Sequence, residues 1–142
     1  MNLTSVMLSA GSIGLCVFLL WLVSVRIKDV SIADIWWAPG FGVIAVSAGY
    51  GHDADSLRYG LTTGIVVLWG VRLAAHLARR NLGHEEDRRY QAMRDATPGF
   101  WWVSLFKVFF LQGALQLIVA LPLYVIGTST MPWTWLDVAG IG

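Results

Sequence analysis

Residues 68–90 read LWGVRLAAHLARRNLGHEEDRRY, and they start inside an apolar run and finish in a dense polar segment. Arg72, His76, Arg79 and Arg80 fall at i, i+4, i+7 and i+8, so a helix here puts all four on one face. Trp69 extends that stripe outward, while Val71, Ala74, Ala75 and Ala78 keep much of the remaining surface apolar or small. A membrane helix rarely carries charge unless the charge meets protein, water or ligand. The stretch therefore predicts a membrane helix with a functional polar face.

The composition agrees. Hydrophobic residues make up 56% of the 142, charged residues only 13%, and the mean hydropathy is +0.62. A soluble domain carries about 25% charged residues. The formal net charge of +1, with no basic patch alternating with exposed aromatics, gives no hint of nucleic-acid binding, and no nucleic-acid partner is expected. The single cysteine, Cys16, allows no internal disulfide and reads as lipid-facing or packed.

The expected fold is an all-α polytopic membrane bundle of four spans plus the start of a fifth, in a single membrane domain over residues 1–142. The spans are expected at about residues 3–25, 32–50, 57–77 and 100–126, with a polar loop at about 78–99. Leu3 to Val25 is uncharged and is followed, not preceded, by Arg26 and Lys28, which fits a retained helix and not a signal peptide. In the second span, Asp34 lies beside Trp36 and Trp37. It is either an interfacial helix-start acid or an acid turned into the bundle. Pro39 and Gly40 are expected to kink this helix or to mark where its regular part begins.

Gly40-Phe41-Gly42-Val43-Ile44-Ala45 formally fits a dinucleotide-binding pattern. That pattern works only after a strand, so small residues for helix packing explain it better. Gly60 and Gly64 form a GxxxG pair suited to packing within the chain or to a homo-oligomer. Gly51 to Ser56 is a polar turn. His84-Glu85-Glu86-Asp87-Arg88 lacks the second histidine of a zinc-protease motif, and His52, His76 and His84 have no metal-ligand spacing, so no metal is expected. Glu85, Glu86 and Arg88 read singly as a solvated, ion-paired loop. Gln112 and Gln116, one turn apart, should face other helices, and Lys107 should snorkel. Pro132, Trp133 and Trp135 form an interfacial set. Arg26 and Lys28 in the first loop, and five arginines from Arg79 to Arg94, place loops 26–31 and 78–99 in the cytoplasm and the N-terminus outside.

Residues 68–94, LWGVRLAAHLARRNLGHEEDRRYQAMR, with FWWVSLFKVFFLQGALQ at 100–116 and SIADIWWAPGFG at 31–42, resemble the steroid 5-alpha-reductase-like bacterial membrane family (domain-of-unknown-function family 1295). The resemblance runs from about Ser31 to Gly142. It implies an inner-membrane reductase that takes hydride from NADPH and reduces a conjugated double bond in a hydrophobic, steroid- or isoprenoid-type substrate. The matching positions are Asp34, Trp37, Arg72, His76, Arg80, Asn81, Glu85, Asp87, Arg89 and Tyr90. On that resemblance Asp34, His76 and Tyr90 are expected in catalysis, and Arg72, Arg80, Asn81 and Arg89 at the cofactor. Relatives continue through further helices, so the chain is expected to be the N-terminal part of a longer protein. Two rivals remain. One is a small four-helix transporter with Asp34 as coupling acid, and the other is a non-catalytic assembly or scaffold protein using Gly60, Gly64 and the glutamines.

Overall fold

The computed structural model describes residues 3–50, 57–127 and 134–141. In chain order the helices are α1 (Leu3–Ile27), α2 (Ile32–Ala48), α3 (Leu57–Asn81), α4 (Arg88–Ala96) and α5 (Phe100–Ser104). A π-helical stretch (Leu105–Phe110) leads into α6 (Leu111–Val119), then come α7 (Leu121–Gly127) and α8 (Trp135–Ile141). Among the described residues there is no strand. Three helical runs, Leu3–Ile27, Leu57–Asn81 and Phe100–Ile126, are long and apolar enough to cross a membrane. The 17-residue α2 is shorter, at about 25 Å by helical rise. This is a helical membrane bundle. The expected turn at Gly51 to Ser56, and Pro132 and Trp133, lie outside the described residues.

The bundle is built around α2. Its buried residues include Ala33, Ala38, Gly40, Phe41, Ile44, Ala45 and Ala48, and most are small. Helix α1 buries one face, Ser5, Ser9, Ile13, Val17 and Trp21, at four-residue intervals, against α2 and the fourth span. Ser9 Oγ and Ser47 Oγ meet at 2.7 Å. Ser9 also donates to the Ser5 carbonyl at 2.9 Å, so no hydroxyl is left bare in the apolar contact.

Close backbone approach fixes the other sides of α2. A Cβ at Gly70 of α3 would lie 3.0 Å from the Ala38 carbonyl oxygen. At Gly40 the missing side chain leaves a notch that the fully buried Gln116 fills. From there Gln116 Nε2 donates to the Trp37 carbonyl at 2.6 Å. The helix runs on through Pro39, with this amide packed beside the position that has no N–H to give. Gly42 faces Val67, 3.4 Å from a would-be Cβ. The glycine pair that mimics a nucleotide motif is thus a packing device.

Helix α3 is the least covered span, with only Tyr59 and Gly70 buried. A Cβ on Gly60 or Gly64 would meet nothing within 4 Å, so neither glycine serves a contact among the described residues. Helix α3 also runs four residues past the expected boundary at 77 and ends before Gly83, whose φ of 81° is a left-handed stop. The expected polar loop at 78–99 is partly helical as well. Asp87 caps α4 by accepting from the Arg89 amide, which supplies a helix start that apolar periodicity does not reveal.

Candidate functional site

The end of the bundle that carries the arginines holds a cluster centred on Asp34, in the first turn of α2. Tyr90 Oη donates to Asp34 Oδ1 at 2.7 Å. Arg89 Nη2 donates to Oδ2 at 2.9 Å, and Gln112 Nε2 approaches Oδ1 at 3.5 Å. Arg89 also reaches Asp87 Oδ1 through Nε at 3.0 Å. The Tyr90 residue is buried, while the Arg89 side chain is 68% exposed. Arg89 therefore covers the outer edge of the carboxylate and Tyr90 approaches it from the protein side.

Glu86 holds this geometry in place. Its side chain, 8% exposed, accepts the Val30 N–H at 2.8 Å. Its two oxygens take Arg94 Nη2 and Nε at 2.8 and 3.0 Å. Alongside, Ser31 Oγ accepts the Asp87 N–H at 2.8 Å. These bonds join the start of α2 to the start of α4, and so set Asp34 against Tyr90. Glu86 is not the solvated loop acid that its sequence suggests. Nothing in the sequence distinguishes it from its exposed neighbour Glu85.

Burial, and then the Asp34 carboxylate that accepts its hydrogen, push the Tyr90 phenol well above the ordinary tyrosine range. Hydrogen bonds from Arg89, with a smaller contribution from the field of Arg80, hold Asp87 below the usual carboxylate value. At the C-terminal end of α3, Arg80 Nε donates to Asn81 Oδ1 at 3.0 Å.

The inner part of the polar stripe lies elsewhere. Arg72 and His76, with Trp69 and Leu73, line a cavity of about 280 Å³ on the flank of α3. No hydrogen bond or ion pair from the described residues reaches either side chain. Of the seven candidate residues, the fold therefore brings Asp34, Arg89 and Tyr90 together, and sets Arg80 and Asn81 at the C-terminal end of α3. It leaves Arg72 and His76 on a separate surface. Arg89, expected at a cofactor, is engaged by two carboxylates. Gln112 joins the cluster from the fourth span.

Beyond the cluster an aromatic file runs into the membrane. Trp37 meets Phe41 edge-on at 5.5 Å between ring centroids, and Phe41 meets Trp69 at 6.2 Å. Past it lies an apolar cleft of about 270 Å³ lined by Phe41, Val66, Trp69, Val119, Ala120, Pro122 and Leu123. A larger cavity of about 430 Å³, between α1, α2 and α3, contains no titratable group and is far poorer in chemistry.

A helical bundle with apolar spans, one of whose ends gathers a carboxylate, a phenol and several guanidinium groups, is a polytopic membrane protein with a polar site at one end of the bundle. The chain belongs to the family described as "Protein of unknown function (DUF1295)", which matches residues 20–142. No curated protein and no solved structure matches it.

Proposed function

We propose that the chain forms part of a membrane-embedded, NADPH-dependent reductase of a lipid-like enone. The observation that carries this reading is the buried Tyr90 phenol hydrogen-bonded to Asp34 at 2.7 Å. Reduction of a conjugated carbonyl leaves negative charge on its oxygen, and a positioned donor there lowers the barrier. In the structure the Tyr90 hydrogen is given to the Asp34 carboxylate, and a substrate oxygen within reach of Oη competes for it. As charge develops on that oxygen, Tyr90 gives it the phenol proton, and the phenolate left behind, beside the Arg89 guanidinium, takes a proton back from solvent. The phenol is protonated at neutral pH, as the role requires.

NADPH, when bound, supplies the hydride. Arg80 and Asn81 suit its phosphate-bearing part, because Arg80 has no acid partner among the described residues and its planar fork matches phosphate oxygens. Arg72 lies eight residues earlier, about 12 Å along the helix. We place the arginine-rich end in the cytoplasm of a bacterial inner membrane, on the excess of Arg and Lys over the single Arg58 at the other end. The outward-facing Gly60 and Gly64 leave room for a second copy.

The test uses the full natural chain in lipid nanodiscs. NADPH should bind saturably and Arg80→Ala should weaken that binding about tenfold. Across a panel of enone lipids, Tyr90→Phe should lower NADPH consumption by about 10²–10⁴-fold with cofactor binding unchanged. An absence of NADPH binding, or wild-type turnover in Tyr90→Phe, refutes the proposal.

A further inference from the structure

Trp69 is common to two openings on the flank of α3. It lines the polar cavity of about 280 Å³ that contains Arg72 and His76, and also the apolar cleft of about 270 Å³ between α2, α3 and the fourth span. Along α3 the residues Val66, Trp69, Arg72 or Leu73, and His76 succeed one another at three- and four-residue steps. They make one continuous strip. The strip is apolar towards the membrane interior, aromatic in the middle and cationic towards the arginine-rich end. Trp69 is the lining residue they share, so a ligand long enough to cross it meets both openings.

Among the described residues no carboxylate pairs with the cationic end. At the opposite end of the same helix, Arg58 is gripped by both oxygens of Asp137, at 2.6 and 2.8 Å. Three acids at the arginine-rich end are engaged elsewhere. Asp34 holds Tyr90 and Arg89, Asp87 holds Arg89, and Glu86 holds Arg94. Arg72 and His76 meet no partner among the described residues. A guanidinium within a span costs about 2.5–3.5 kcal/mol at mid-membrane on insertion scales, less near the interface, and an anion at this position would offset that cost.

We infer that this strip binds a single-chain anionic amphiphile drawn from the surrounding bilayer. Its phosphate or carboxylate head sits on Arg72 and His76. Its apolar chain crosses Trp69 and lies in the cleft against Phe41, Val66, Val119 and Leu123. A neutral sterol would leave Arg72 without a counter-charge, and a free anion would leave the cleft empty. The site uses none of Asp34, Tyr90, Arg80 or Asn81, so it stands whether or not the chain reduces anything.

The experiment titrates the full chain, in zwitterionic nanodiscs without NADPH, with dodecyl phosphate, and reads binding by native mass spectrometry and calorimetry. Saturable binding is expected, at least about tenfold tighter than inorganic phosphate or dodecanol. Arg72→Ala should weaken it about tenfold or more, and Arg72→Lys less. Val119→Trp, at a side chain already 58% exposed, should block the chain without disturbing the fold, and should weaken dodecyl phosphate while leaving inorganic phosphate unchanged. Equal affinity for inorganic phosphate would make this a free-anion site. Equal affinity for dodecanol would make it an apolar groove. Either result, or indifference to Arg72→Ala and Val119→Trp in variants with wild-type helicity, overturns the inference.

Discussion

Replacing Gly40 by alanine tests the packing that fixes α2. The added Cβ would lie 2.7 Å from Gln116 Cδ and 2.8 Å from its Oε1. Gln116 is fully buried, so it has no free space to yield into and its amide must leave the Trp37 carbonyl. Overpacking costs about 1–3 kcal/mol, and the lost interhelical hydrogen bond adds about 0.6 kcal/mol. Alanine returns up to about 1 kcal/mol of helix propensity relative to glycine. The net expectation is a destabilisation of about 1–3 kcal/mol. Gln116→Ala alone should cost a similar amount, because it opens a cavity and leaves the Trp37 carbonyl without its donor. Combined, the two changes fit each other: the methyl added in Gly40→Ala enters the space that the amide vacates. The double variant should therefore be more stable than the sum of the singles by about 0.5–3 kcal/mol. Unfolding free energies from reversible denaturation in mixed micelles measure all four corners of the cycle. Strict additivity, or a Gly40→Ala protein as stable as wild type, would refute the placement of Gln116 in the Gly40 notch.

Three further outcomes are expected. Gly70→Ala should destabilise by about 1–3 kcal/mol, since its Cβ would press on the Ala38 backbone, while Gly64→Ala should be neutral or stabilising by up to about 1 kcal/mol; paired thermal melts decide. Glu86→Ala should orphan the buried Val30 N–H, cost roughly 1–3 kcal/mol, and speed hydrogen exchange at Val30 and across α4; unchanged exchange at both would remove Glu86 from its anchoring role. The Tyr90 phenol, with its pKa raised in the fold, contributes stability that is complete below the unfolded value of about 10 and is lost as pH rises through the folded value. Wild type minus Tyr90→Phe, followed by denaturation from pH 7 upward, should be flat to about pH 10 and change only above it.

The spans were legible because lipid demands long uncharged runs, and Leu3 to Val25 can do little else. The ends were not, because apolarity marks where hydrocarbon stops and not where a helix stops. Arg79, Arg80 and Asn81 keep α3 helical beyond the apolar run, and the available stop signal was Gly83. The cap Asp87 and the breakers Pro98 and Gly99 similarly bracket α4 in the sequence, hidden by the reading of residues 78–99 as one loop. The π-helical stretch at Leu105–Phe110 has no such mark, since an apolar segment reads alike in either register. Asp34 was visible as an out-of-place acid, but sequence left its direction open. The direction is set by Glu86 and Ser31 fastening α4 onto the start of α2, contacts that span 56 positions.

Those long-range contacts also explain why the polar residues divide into two groups. Asp34 lies between two constraints on one short helix: the bonds from Glu86 to Val30 and from Asp87 to Ser31 before it, and the Gln116 amide on Trp37 after it. A carboxylate fixed on both sides keeps one orientation, as the chemistry proposed at Tyr90 requires. Arg72 and His76 sit on the exposed face of α3, away from the side where Gly70 meets Ala38, and they meet no partner among the described residues. Free energy from a bound anion would therefore change the α3 flank more than the Asp34 cluster, because a ligand shifts structure only where its own contacts differ between states. The described residues thus hold a carboxylate and a phenol in fixed hydrogen bonds at the start of α2, apart from a cationic strip on the exposed flank of α3.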